Sequence, residues 1–256
     1  YSIDRDSLLP VDITLPSDHI TRSGVVAAAY QQEPTNVIWV LRNDGVLAAV
    51  THYPSEKVWG WHRHVIGGNS DVDDETHAIV ESISCIPEPN GTYDELWMVV
   101  RRNINGTTKR YVEYMQKYYE DDQDIEGSGC CDSRVTYDGA ATATISGLDH
   151  LEGEVVKVMV DGNSHPNRTV SGGEITLANN ITGSVVQVGL AYSWKLVTNR
   201  IELKLRDLDT AQGKMKRISC VTPRVLNAKG MYYGEPDNAT SEYDFNQAVS
   251  FDETVS

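Results

Sequence analysis

The residues of this chain best suited to chemistry are histidines. His52, His62, His64 and His77 lie close together in the sequence. Side chains alternate faces along an extended strand, so a strand over Val58–Val65 puts His62 and His64 on one face. Two histidines on one strand face can begin a zinc site. His52 can approach across a hairpin, but no third ligand stands at a compelling spacing. A metal-dependent enzyme built on His52, His62 and His64 is one reading. In the other, the histidines take one strand face, Trp59, Trp61 and Arg63 take the opposite one, and the cluster is packing.

The remaining candidates point to binding or to structure. Arg101 and Arg102 precede a hairpin whose other arm carries Lys109, Arg110 and Glu113. Cross-strand charge pairing is expected there, with an anion site as the alternative. Asp71, Asp73, Asp74 and Glu75 fall in an acidic loop, Gly67–Thr76, whose carboxylates are of the type that holds calcium. That loop lacks the calcium-loop pattern of Gly at position six and Glu at twelve, so a solvated loop is expected. Glu120–Gly129 is a second acidic run and reads as a linker. Glycoside-cleaving carboxylate pairs are set by the fold rather than by spacing, and spacing singles out none here. No G-x-S-x-G, Walker, H-E-x-x-H or Rossmann fingerprint is present. Cys85, Cys130, Cys131 and Cys220 lack paired C-x-x-C spacing. Cys85 reads as a buried small hydrophobe, and the set fits a reducing compartment. Sequons at Asn90, Asn105, Asn167, Asn180 and Asn238 read as turn chemistry. These patterns lead to the expectation of no catalytic, cofactor or metal residues.

Composition narrows the classes further. The chain has 256 residues, enough for a sizeable core and one or two domains. Its net charge of −15 argues against a broad basic face for nucleic acid. A negative wall is still compatible with DNA that slides past without sticking. No apolar run approaches the roughly 20 residues of a membrane-spanning helix. No signal-peptide pattern opens the chain. It begins with Tyr1 rather than Met, and a fragment or trimmed product is expected.

The elements that must position these groups are strands. Ser17 caps a short helical turn over Asp18–Arg22, and Val25–Gln31 reads as a strand or extended lead-in. Val37–Arg42 and Gly45–Tyr53 alternate about an Asn43-Asp44-Gly45 turn, where Asp-Gly supplies positive φ. Val58–Val65, Ala78–Ile86, Glu95–Arg102 and Lys109–Gln116 follow, the last two joined at Asn105-Gly106. Short strands with regularly spaced aromatics predict an all-β fold of β-propeller-type blades. One four-stranded blade is expected over Val37–Ile86, and the start of another over Glu95–Gln116. A composition break places a boundary near Ala141, so residues 1–141 form the blade region with its lead-in. Residues 142–196 are expected to form a small β-barrel, with strands at Glu154–Val160, Glu174–Leu177 and Ser184–Leu190 and a turn at Asp161-Gly162. Residues 197–256 are expected to hold return strands at Ile201–Leu205 and Lys216–Val225, then a polar, weakly patterned end from Glu235.

Several blocks in this order resemble a known family. Asp44, Gly45, Leu47, Thr51 and Tyr53 form a DG-x-L…T-x-Y block. Trp61, Arg63 and His64 form W-x-R-H. Val80–Ser82 with Ile86 and Pro87, Asp94–Trp97, and Arg110–Glu113 complete the series. Together they resemble the nozzle proteins of short-tailed phages, also called tail tubular protein B, and related packaged-DNA stabilisation proteins. Leu148–Gly162, with GGEITL and VQVGLAY after it, is similar to the small β-barrel inserted in such proteins, a barrel also found in ubiquitin-activating enzymes. Thr210–Gly230 is similar to the family's return segment. The resemblance spans roughly Ser17 to Gly234. It departs from the family in the acidic insert Asn69–Thr76 and in lacking the long N-terminal portion that would close a propeller. It implies a structural virion protein, made in the bacterial host cytoplasm and located in the phage tail. Copies would form a ring, commonly a hexamer, below the portal and adaptor. The ring would continue the DNA channel, retain packaged double-stranded DNA and pass it during ejection without sequence-specific binding. A tail-associated β-protein that binds or cleaves glycans is the alternative, motivated by the aromatic strands and abundant carboxylates.

Overall fold

Apolar residues at every second position, separated by Asp-Gly and Asn-Gly turns, fold here as antiparallel hairpins. Four strands form the first sheet in sequential order: β1 (Val25–Gln31), β2 (Val37–Arg42), β3 (Leu47–Tyr53) and β4 (Val58–His64). Three form the second: β5 (Ile79–Pro87), β6 (Asp94–Ile104) and β7 (Thr107–Tyr114). The β6–β7 turn has Asn105 at φ 49° and Gly106 at φ 72°, the left-handed pair that a two-residue hairpin requires. This computed structural model describes residues 12–53, 55–56, 58–71, 77–118, 125–129, 131–197, 204–205, 209–210, 222, 224, 231–235 and 238–243.

The described residues are all-β apart from one short helix, α1 (Asp18–Thr21), and a few 3-10 turns. The four-stranded unit expected over Val37–Ile86 is displaced by one strand. β1 is its first member, and β5 leaves to open the next sheet. The connections explain the change. Strands within each sheet are joined by short turns, whereas residues 65–78 separate β4 from β5. A connection of that length releases the chain from hairpin pairing.

The two sheets enclose a shared core. Val37, Trp39 and Leu41 of β2 and Leu47 and Ala49 of β3 pack with Val80 of β5 and Leu96, Met98 and Val100 of β6. Each aliphatic side chain buried this completely contributes roughly 1.5–3 kcal/mol. Ala48 and Val50, on the other face of β3, are also fully buried. On that side Ile20 of α1 is buried and Trp61 Nε1 donates to the Ile13 carbonyl at 2.9 Å.

A third region comprises β8 (Asp132–Thr142), β9 (Thr144–Ser146), β10 (Val155–Val160), β11 (Asn163–Thr169), β12 (Glu174–Thr176) and β13 (Gly183–Leu190). The expected small barrel is not closed. Four strands make an open sheet in the order β11-β10-β13-β8, while β9 and β12 pair only with each other. The three-residue ribbon strands are too short to continue the larger sheet around its core. The sheet also includes β8, which starts at Asp132, upstream of the expected start at 142. Its core joins Leu148, Leu151, Val156, Val158, Val186 and Val188 with Ile145 and Ile175 of the ribbon, and it takes in Ile104 from the end of β6. The Asp161-Gly162 turn forms as expected, with φ 46° and 74°, and Asp161 Oδ1 accepts the amides of Ser184 and Val185.

Residues Tyr1–Ser193 constitute one compact unit and Trp194–Ser256 a second. In the second unit β14 (Lys204–Leu205) pairs with β15 (Asp209–Thr210), and β16 (Met231–Glu235) pairs with β17 (Asn238–Tyr243). The last hairpin falls where the sequence showed little pattern. Residues 201–203 and most of 216–225 lie outside the described residues.

One glycine is essential to the contact between the first two sheets. Gly45, in the β2–β3 turn, has φ 76°, and a Cβ there would stand 2.5 Å from Ile79 Cγ2. Its carbonyl accepts the Val80 amide at 2.9 Å. Gly45→Val therefore combines left-handed strain with a clash against β5. Urea denaturation should show it less stable than the parent by about 2–4 kcal/mol; a loss under about 0.5 kcal/mol would contradict this account.

Candidate functional site

The histidine cluster divides by strand parity. Leu47 stands opposite His64 and Ala49 opposite His62, so both rings lie on the core-facing side of β4. His52 stands opposite Trp59 and therefore points to the other face. The proposed third ligand is thus excluded by the period of the strand, not by distance along the chain. Thr51 occupies the neighbouring position instead, its Oγ1 3.2 Å from His62 Nε2. His62 Nδ1 and His64 Nε2 are 2.7 Å apart and share a hydrogen bond. The Trp39 ring lies 5.1 Å from His64 and 6.4 Å from His62, and its Nε1 donates to Gln31 Oε1 at 2.8 Å. His77 is not joined to this pair by any described contact, and its Nε2 is buried without a partner. Among the described residues no group of three or more His, Cys, Asp or Glu side chains is placed to hold a metal ion. His62 and His64 pack with Trp39 on the core face, whereas His52 packs with Trp59 on the other.

Burial governs how the pair titrates. It lowers the His62 pKa, and it lowers that of His64 to about 4, with the His62 charge adding to the effect. A shared His–His hydrogen bond needs an unprotonated acceptor, and the low values keep one available.

The arginines separate in the same way. Along β6, Leu96, Met98, Val100, Arg102 and Ile104 are buried, alternating with the less buried Trp97, Val99, Arg101 and Asn103. Arg101 and Arg110 stand directly opposite one another on β6 and β7, a like-charge pairing that costs stability. Glu81, at the irregularity between Val80 and Ser82 on β5, resolves it. It meets Arg101 Nε at 3.1 Å and Arg110 Nε at 2.7 Å. The hydrogen bond from Arg110 is the largest of the effects that hold the Glu81 carboxyl below its usual range.

Arg102 is fully buried. Its Nε donates to the Gly67 carbonyl at 2.8 Å, and both Nη atoms bind Glu113, Nη2 at 3.0 Å. Glu113 also accepts from Ser133 Oγ at 3.0 Å, and Asp132 Oδ2 accepts the Gly67 amide at 2.7 Å. Charge pairing, one of the two expected roles, is what the arginines do: Arg102 pairs with Glu113 on the expected arm, while Arg101 and Arg110 meet Glu81 of β5. Lys109 faces Arg102 across the ladder, while Glu113, further along β7, binds it. Glu81 could not be matched to its arginines from spacing, because it lies on another strand beside a bulge.

An aromatic platform occupies the outer face of the second sheet. The rings of Trp97 and Tyr114 lie 5.2 Å apart, tilted by 30°. Trp97 Nε1 donates to Glu95 Oε2 at 2.9 Å, and Tyr93 OH meets Glu95 Oε1 at 3.5 Å. Glu95 is only 9% exposed, while Val112 beside the platform is 68% exposed. The visible sequence signal was period two, with Glu95 and Trp97 on one strand face.

Other candidates are structural. Cys85 packs at the margin of the first core, and burial, with the Asp94 charge adding, pushes its thiol up to about 11. That keeps it a hydrophobe and not a nucleophile. Asp73, Asp74, Glu75, Cys130 and Cys220 lie outside the described residues, as do residues 120–124 of the second acidic run. Asn105 and Asn180 sit at left-handed turn positions, while Asn167 lies within β11. No helix among the described residues is long and apolar enough to cross a membrane. No protein-family model and no curated protein matches the chain.

The buried pair generates a pH dependence. Between about 6.5 and about 4 the unfolded chain binds a proton that folded His64 refuses. Stability from this group is complete above about 6.5, falls as the pH drops through that window, and amounts to about 3 kcal/mol. Chemical denaturation at stepped pH should show a shallower slope in His64→Gln than in the parent over that window; parallel slopes would assign the acid sensitivity elsewhere.

Proposed function

We propose that this chain is a non-enzymatic structural protein of a phage tail, one subunit of a ring-shaped nozzle that continues the DNA channel. The observation that carries the reading is the order of the family-like blocks along consecutive strands. The D-G block spans the β2–β3 turn and β3, W-x-R-H lies on β4, V-E-S…I-P on β5, D-E-L-W on β6 and R-Y-V-E on β7. A four-stranded antiparallel meander is also the unit from which propeller blades are made. In this reading a small barrel-type unit follows the blades, and packaged double-stranded DNA passes a wall whose net charge of −15 repels phosphates. The partners are further copies of the chain, as a hexamer, with the portal, adaptor and other tail proteins. The protein is made in the host cytoplasm and resides in the virion.

A second reading, glycan binding, is favoured by one observation. Tyr114 is 55% exposed beside Trp97, and the Glu95 carboxylate next to them has no cation bound to it among the described residues. Aromatic faces stack on the apolar faces of sugar rings, and a fixed carboxylate accepts their hydroxyls.

Electron microscopy of assembled full-length protein, and of the virion tail, tests the first reading. The expected result is a ring with a central channel in which this chain forms part of the wall; a persistent monomer absent from virions would overturn it. Glycan-array binding that disappears in Tyr114→Ala is the result expected of the second reading, and silence on host polysaccharides rejects it.

A further inference from the structure

We propose that the open groove between the first and second sheets binds a monocarboxylate carried on an apolar body. This goes beyond the tail reading and does not depend on it. The groove has a volume of about 400 Å³, the size of a small-molecule site. Its apolar lining is Val26 of β1, Leu41 of β2, and Ile79 and Val80 of β5; two arginines, Arg42 and Arg101, and the carboxylates Asp44 and Glu81 line it with the Asn43–Gly45 turn. Leu41 and Val80 are buried and form the floor, while Val26 is 62% exposed and forms the rim.

The two guanidinium groups hold more donors than their partners use. Arg42, with a side chain only 10% exposed, gives Nε to Ser23 Oγ at 2.9 Å and Nη2 to Asp44. Its Nη1 is buried and has no partner. Leaving a buried donor unpaired costs free energy that an incoming acceptor recovers. Arg101 meets Glu81 through Nε at 3.1 Å. Glu81 is shared with Arg110, so three guanidinium groups stand against the two carboxylates Asp44 and Glu81. That local excess of positive charge sits on a chain of net charge −15.

The chemistry of the site selects the ligand. Guanidinium forks match carboxylate and phosphate geometry alike. Asp44 and Glu81 beside the forks repel a dianion more strongly than a monoanion, which favours a carboxylate. The apolar floor and rim call for a hydrocarbon next to that charge. A small aliphatic acid and the free C-terminal end of a peptide with an apolar last residue present the same group.

Titration of the full chain, followed by backbone amide NMR, tests the site with three probes: 4-methylpentanoate, its neutral analogue 4-methylpentanamide, and N-acetyl-glycyl-leucine. The expected result is saturable shifts at Asn43, Gly45 and Val80 with both acids, and binding of the amide about tenfold weaker or less. Arg101→Gln should weaken the acids by a similar factor and Arg101→Lys by less. Val26→Glu adds a charge at the exposed rim without touching the core, and should also weaken them. Tighter binding of the peptide assigns the groove to a chain terminus, and equal binding to a small acid. Equal binding of the amide, unchanged affinity in both Arg101→Gln and Val26→Glu, tighter binding of inorganic phosphate, or the absence of saturable shifts would each overturn the proposal.

Discussion

The arrangement of the first unit depends on one buried cation. Arg102 lies on the inward face of β6, between Val100 of the first core and Ile104 of the second. A guanidinium group without solvent must be paired on every side. Here the partners come from three places: the Gly67 carbonyl after β4, Glu113 on β7, and through these Ser133 and Asp132 at the start of β8. Breaking such a pair costs about 3–5 kcal/mol, because it leaves uncompensated charge behind. The need to satisfy that charge therefore fixes where the long β4–β5 connection runs and where the third region begins. Gly68 allows the close approach: a Cβ there would stand 2.9 Å from Arg102 Cδ.

Pairing also decides what the surface looks like. Arg42, Arg101, Arg102 and Arg110 all bind carboxylates within the chain. Cations consumed internally add little field outside, while many of the remaining carboxylates stay in water. The chain as a whole carries a net charge of −15, and these four arginines do little to offset it outside. A wall of that kind can border a polyanion without holding it, which is the physical content of the channel reading. The groove lined by Arg42 and Arg101 is the local exception, because there guanidinium donors outnumber their acceptors.

Much of this was legible in the sequence, and the reason is local chemistry. Asp44-Gly45, Asn105-Gly106 and Asp161-Gly162 each mark a turn whose backbone needs left-handed φ, and all three form. Period two placed His62 and His64 together and opposite Trp61, as β3–β4 pairing shows. For His52 the same rule needed the β3–β4 register, which places it opposite Trp59 and away from their face. What local chemistry does not carry is which hairpin joins which sheet. β5 reads like the strands before it, yet the length of residues 65–78 moves it to a new sheet. β8 pairs with β13 far along the chain, and nothing within β8 itself indicates that partner. The partner of Arg101 was hidden for the same reason, since Glu81 reaches it from another strand at a bulge, whereas Glu113 on the arm opposite Arg102 was visible.

β6 shows how the inner and outer faces constrain each other. Its buried positions carry Leu96, Met98, Val100, Arg102 and Ile104, while Glu95, Trp97, Val99 and Arg101 take the opposite side. A slip of one residue would exchange these sets. It would move Leu96 and Val100 into water and place Glu95 and Arg101 in the core, away from Trp97 and Glu81. An all-apolar inner face would resist that slip only by area, to which many registers contribute similarly. A guanidinium group satisfied at one place resists it by geometry, because only one register brings Arg102 to Gly67 and Glu113 together. Trp97 of the aromatic platform and Arg101 of the groove lie on the outer face of the same strand. Their positions are therefore set by a charge that they never touch.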